Sequence, residues 1–129
     1  MTTINFKREI ADTVDHAIER ATKALGAEGF GILTRIDMHS KIKEKIGKDI
    51  IPTVILGACN PNMAYEAYTA NSDVSSLLPC NAVIREIAPG RISLEFAKPT
   101  AMMQILGDTG LAELAREADA KIERALATI

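Results

Sequence analysis

The stretch Thr53-Val-Ile-Leu-Gly-Ala-Cys59, followed at once by Asn60-Pro61, decides how this chain is read. Its β-branched opening and nearly unbroken apolarity predict a strand buried on both faces. Pro52 opens that strand, where a missing N–H is tolerated. Asn60 is a favourable N-cap and Pro61 is pre-set for the first helical position, so a helix from Pro61 to about Ala70 is expected. A buried strand passing straight into a helix places the chain in the α/β class.

Towards the N-terminus, His39 to Gly47 reads as a short helix, with Ile42 and Ile46 one turn apart and Gly47 as its stop. Phe30 to Met38 reads as an interior strand, apolar on both faces. Before it, Val14, Ala17, Ile18, Ala21 and Leu25 recur at helical spacing; Asp12 is the expected N-cap, Asp15 suits the positive end of the helix dipole, and Gly26 is expected to close the helix. Thr2 to Lys7, alternating around Ile4 and Phe6, reads as a short first strand.

Towards the C-terminus, Asn71-Ser-Asp-Val marks a break and Leu77-Leu-Pro79 leads into a strand from Cys80 to Ile87. This strand forms a hairpin with Arg91 to Phe96 across Ala88-Pro89-Gly90. Pro99 starts a short helix carrying Met102, Met103 and Ile105, and Gly107 ends it. Asp108 or Thr109 caps a last helix whose stripe is Leu111, Leu114, Ala115, Ala118, Ile122 and Leu126. The order is βαβαβαββαα over a single domain, residues 1–129. Helical connections predict parallel strand pairs early in the chain and the hairpin adds an antiparallel pair, so a mixed sheet of about five strands is expected, in an α/β (α+β) fold.

Composition narrows the function classes. The 129 residues are 47% hydrophobic and 25% charged, with a net charge of −2. These proportions suit a globular domain, and the interspersed charges give no footprint for nucleic acid. No secretory signal and no membrane span is read, which makes the cytoplasm the expected compartment. Two cysteines, Cys59 and Cys80, are too few for a disulfide framework.

In open α/β sheets, ligands bind beyond the carboxyl ends of parallel strands. Parallel second and third strands would bring Asp37 and His39 to the same edge as Cys59, Asn60 and Pro61, and these residues with Cys80 form the candidate ligand site. Cys59 is the candidate catalytic residue, because a helix N-terminus behind it would favour a thiolate and lower its pKa. His39 would then be base or ligand, oriented by Asp37, with Tyr65 and Tyr68 supplying a wall or a hydroxyl. The structural readings of the same residues are a small buried filler for Cys59, a helix cap for Asp37 and an exposed first-turn residue for His39. Met102 and Met103 read as core packing, and His16 as solvated. Twenty residues between the cysteines match no metal-ligand spacing, and no cofactor motif is present, so neither metal nor cofactor is called for. Antiparallel third and fourth strands would let the two thiols approach; parallel strands would separate them.

Three motifs in order, Gly29-Phe-Gly-Ile-Leu-Thr-Arg-Ile-Asp37, Leu56-Gly-Ala-Cys-Asn-Pro61 and Leu77-Leu-Pro-Cys-Asn81, resemble the domain of unknown function 302 family. The resemblance implies a two-layer α/β sandwich with a mixed sheet, a homodimer, and a bacterial or archaeal cytoplasmic protein. It implies no reaction. Taken together, the residues lead to the expectation of a non-enzymatic domain that binds a small molecule or a partner. Thiol chemistry at Cys59, by sulfur transfer or redox sensing, is the alternative, as is a metal held by Cys59, Cys80 and His39.

Overall fold

Apolar alternation and capping residues divide the chain nearly where expected. In the computed structural model, which describes residues 3–129, the order is β1 (Asn5–Ala11), α1 (Val14–Ala27), β2 (Gly31–Asp37), α2 (Met38–Ile46), β3 (Thr53–Cys59) and α3 (Pro61–Ala70). A 3-10 segment (Ser72–Leu77), β4 (Cys80–Ala88), β5 (Arg91–Ala97), α4 (Pro99–Leu106), a 3-10 turn (Thr109–Leu111) and α5 (Ala112–Ala127) follow. The fold is of the α/β (α+β) type in the order βαβαβαββαα. The first strand runs four residues beyond Lys7, and Thr2 lies outside the described residues.

The pairing differs from the expectation of a mixed sheet. The five strands are ordered β1-β5-β4-β3-β2, and every neighbouring pair is antiparallel. The parallel alignment expected of β2 and β3 is therefore replaced by one in which Gly31 faces Cys59 and Asp37 faces Val54. The physical reason lies in α2. A crossover helix must pack on a sheet face, whereas α2 has nine residues and none of them is buried. It is an excursion that lets the chain turn back, not a layer that carries it across.

One face of the sheet holds the core. Val54, Leu56, Ala82, Ile84, Ile92, Leu94 and Phe96 pack there against Ala17, Ala21 and Leu25 of α1 and Ile122, Ala125 and Leu126 of α5. Full burial of such side chains stabilises the fold by roughly 1.5–3 kcal/mol each for Leu, Ile, Val and Phe. The opposite face holds none of these core residues. It carries Ile36, Ile55 and Val83 in register across β2, β3 and β4, with Ile36 exposed, and then Arg85 and Glu95.

Helix ends show how local chemistry was redistributed. Thr13, not Asp12, caps α1, its hydroxyl accepting from the His16 N–H. Asp12 instead accepts from Arg20 at 2.8 Å and pairs with His16. Gly26 stays helical, and the left-handed residue after α1 is Gly29, at φ 87°. Gly47 and Gly107 end α2 and α4 in that conformation, as expected.

Candidate functional site

Antiparallel pairing puts the end of β3 and the start of β4 at one sheet edge, with Ala58 opposite Cys80 and Cys59 one residue beyond. Three helices close over that edge. α3 leaves directly from β3, α4 begins two residues after β5, and the first half of α5 packs against both α3 and α4. Between them lies a cleft of about 60 Å³. Phe30, just before β2, and Ala58 of β3 form its floor, Met63 and Ala67 one wall from α3, and Met103 and Leu114 the other from α4 and α5; Cys59 and Cys80 stand at the strand ends.

The walls are carbon and sulfur. Asn60 is the one lining residue with a polar amide or hydroxyl, and its groups are spent on the fold. Its Oδ1 accepts from the Met63 N–H at 3.3 Å, capping α3, and its Nδ2 donates to the Glu28 carbonyl at 3.5 Å, tying α3 to the end of α1. Gly29 makes that contact feasible, since a Cβ there would lie 3.0 Å from Asn60 Nδ2. The helices are fastened by caps that come from other elements. The Thr100 N–H and hydroxyl donate to the Asp119 carboxylate at 3.0 and 2.7 Å, holding the start of α4 on α5, and Asn71 Nδ2 donates to Asp108 at 3.1 Å.

Burial pushes the Cys80 thiol up to about 11, with the Cys59 thiol and the Asp119 carboxylate acting in the same direction. It also raises Cys59. The shift at Cys59 is thus upward, opposite to the lowering expected from the helix N-terminus, and its cause is desolvation of the sulfur. Apart from the two thiols no lining side chain titrates, so nothing in the cleft can serve a thiol as general base.

The predicted residues divide into two groups. Cys59, Asn60 and Cys80 meet in the cleft, and Pro61 starts α3 beside it on the exposed side. Asp37 and His39 lie at the opposite end of β3, because β2 runs against it. There Asp37 occupies the N-cap position of α2 without capping it and accepts from Arg35 at 3.1 Å, while His39 Nδ1 accepts from the Thr53 N–H at 3.0 Å. His39 therefore pins α2 to the start of β3, and neither base nor metal chemistry with Cys59 is open to it. Tyr65 and Tyr68 are exposed on α3 and do not wall the cleft. Met63 and Met103 are the lining residues that the sequence reading passed over. Met63 stands four residues after Cys59 and Met103 had been assigned to packing alone, so the available signal was the number of sulfur side chains near the two cysteines.

A second depression, of about 450 Å³, lies beside α4 and α5 and is lined by Thr100, Gln104, Asp108 and Arg116. Thr100, Asp108 and Arg116 there are bonded to Asp119, Asn71 and Glu113 respectively.

A family model described as domain of unknown function DUF302 matches residues 6–129. The fold is similar to the crystal structure of an uncharacterised conserved DUF302 protein from Bacillus stearothermophilus, with a TM-score of 0.90 and 28% sequence identity over 98% of each chain. No curated protein matches the chain.

Proposed function

We propose, from the premise that this chain belongs to the DUF302 family, that it is a non-catalytic domain that binds a small apolar ligand in the cleft between α3, α4, α5 and the strand ends of Cys59 and Cys80. One observation carries the reading. The cleft is walled by apolar and sulfur side chains, while Asn60, its one amide, is engaged in capping. A ligand there gains affinity from excluding water and from shape, not from directed hydrogen bonds. The volume suits a compact molecule, since about 10–15 Å³ of such space holds one water-sized group. Methionine walls can yield to something larger, because Met63 and Met103 have three rotatable bonds each. The free thiols suit a cytoplasmic, reducing compartment.

The experiment is thermal unfolding of the full chain with a panel of short aliphatic and small aromatic compounds, for the parent and for Ala67→Leu, which fills the α3 wall. A ligand at about 100 times its Kd stabilises by roughly 2.7 kcal/mol. At least one compound should raise the parent Tm and leave that of the filled variant unmoved. A flat response to every compound, or an equal response in both proteins, contradicts the assignment.

A further inference from the structure

The end of the sheet opposite the cleft is chemically unlike the rest of the molecule. α2 and the loop that follows it read Lys41-Ile-Lys-Glu-Lys-Ile-Gly-Lys-Asp-Ile-Ile51. α2 buries none of its residues, and Ile46, Ile50 and Ile51 are exposed at 67%, 42% and 39%. The Glu86 N–H donates to the Pro52 carbonyl at 3.0 Å, which brings Ile87 of β4, also exposed, to the same end. Isolated apolar residues on a surface need no explanation, whereas three within six residues of one segment do.

Lys41, Lys43, Lys45 and Lys48 stand among these isoleucines against Glu44 and Asp49 alone. Residues 41–49 therefore carry an excess of two positive charges, while the rest of the chain carries an excess of four negative ones. The Lys41–Glu44 and Lys43–Asp49 pairs, at 3.5 and 3.1 Å, are open to water and hold their lysines weakly. The helix itself is fixed in place, because Gly47 stops it in the left-handed conformation and the Thr53 N–H donates to His39 Nδ1. The core of a protein–protein interface is depleted in lysine and enriched in aromatic residues and arginine, and this patch has the reverse composition. Lysine stems beside aliphatic side chains, on a helix that lies on the surface, are what an interfacial membrane segment presents. No helix among the described residues is long and apolar enough to cross a membrane, so any such contact is with the bilayer surface.

We propose that α2 and the loop to Ile51 form a docking surface for the anionic face of a lipid bilayer. The lysine ammonium groups meet the lipid headgroup anions, and Ile46, Ile50 and Ile51 enter the boundary between headgroups and acyl chains. The acidic remainder of the chain is repelled by the same surface, which turns this end of the molecule towards it. The contact is peripheral and reversible, because these few side chains bury far less apolar area than a spanning helix. The surface and the cleft lie at opposite ends of β3 and do not depend on one another.

The test is flotation of the full chain with vesicles of equal parts phosphatidylcholine and phosphatidylserine, with pure phosphatidylcholine vesicles and soluble polyglutamate as comparison probes. The chain should float with the anionic vesicles, be released as salt rises, and ignore the neutral ones. Each lysine near such a surface contributes about fivefold in binding, so Lys45→Gln/Lys48→Gln should weaken it roughly 25-fold. Ile46→Ser/Ile50→Ser should weaken it about tenfold or more. Lys23→Gln/Arg116→Gln, which removes the same charge from α1 and α5, should bind like the parent. All three variants change exposed side chains, so each should keep the Tm of the parent. No flotation, equal flotation with neutral vesicles, parent-like binding by either variant of the docking segment, or an equal loss in the α1 and α5 control overturns the proposal. Binding to polyglutamate without flotation assigns the surface to an acidic protein and overturns it as well.

Discussion

At the scale of the residue, Gly57 shows most plainly how the strand that starts the argument is constrained. A Cβ there would fall inside contact distance of Thr34 Oγ1 and lie 2.7 Å from Pro79 Cγ, so β2 and the entry to β4 close directly over its backbone. Gly57→Ala should destabilise the fold by about 1–3 kcal/mol, the usual range for overpacking, measured by urea denaturation. A change within about 0.5 kcal/mol would mean that Pro79 and Thr34 are not held where they stand. Asp12 supplies a second residue-scale prediction. The Arg20 guanidinium, helped by the Thr13 N–H and His16, holds its carboxyl down from 3.8 to about 2. A folded-state pKa below the unfolded one contributes stability that is present above about pH 4 and is lost as pH falls towards 2. The variant Asp12→Asn should therefore flatten the stability profile between pH 4 and 2; an acid limb identical to that of the parent refutes the coupling. Single residues were also the most legible level of the sequence. Asn60 and Pro61 start α3 as their chemistry requires, and Gly47 and Gly107 stop their helices. Asp12 was misread because its carboxylate satisfies a side chain eight residues on, a partner that local capping rules do not weigh.

At the scale of the element, boundaries were readable and directions were not. The stripes of α1 and α5 are buried as their 3.6-residue periodicity implies, and β4 and β5 form the expected hairpin. The error lay in taking any helix between strands for a crossover. α2 carries Ser40, Lys41, Lys43, Glu44 and Lys45, leaving Met38, Ile42 and Ile46 as its apolar content, and it buries none of them. That shortage of apolar residues was visible in the sequence and distinguishes an excursion from a packed layer. Reversing β3 against β2 sends Asp37 and His39 away from Cys59, and reversing β4 against β3 brings Cys80 to it. The ties that hold the cleft walls were not legible at all, because Thr100 with Asp119 and Asn71 with Asp108 join residues 19 and 37 positions apart. Asp119→Ala should free the start of α4. By analogy with helix-cap removals it should lower stability by about 0.5–2 kcal/mol and speed amide exchange in α4 while leaving β4 and β5 protected. Unchanged exchange in α4 would show that packing alone holds it.

At the scale of the whole molecule, the two faces of the sheet are unequal. The helices bury one, and the other carries Ile36, Ile55 and Val83 together, with Arg85 donating to the buried Glu95 at 2.9 Å beside them. Burial opposes ionisation of Glu95, but Arg85 and Ser93 prevail and keep its carboxyl below the ordinary range. The cleft lies at the end of β3 and the start of β4, among sulfur side chains and helices. Methyl NMR of the methionines addresses its occupancy most directly, since Met63 and Met103 line the cleft whereas Met38 begins α2 at the far sheet edge. Titration with a compound that raises the Tm should shift the Met63 and Met103 methyl signals together and leave Met38 in place. Shifts at Met38 with Met63 and Met103 unmoved would put the ligand elsewhere and contradict the account.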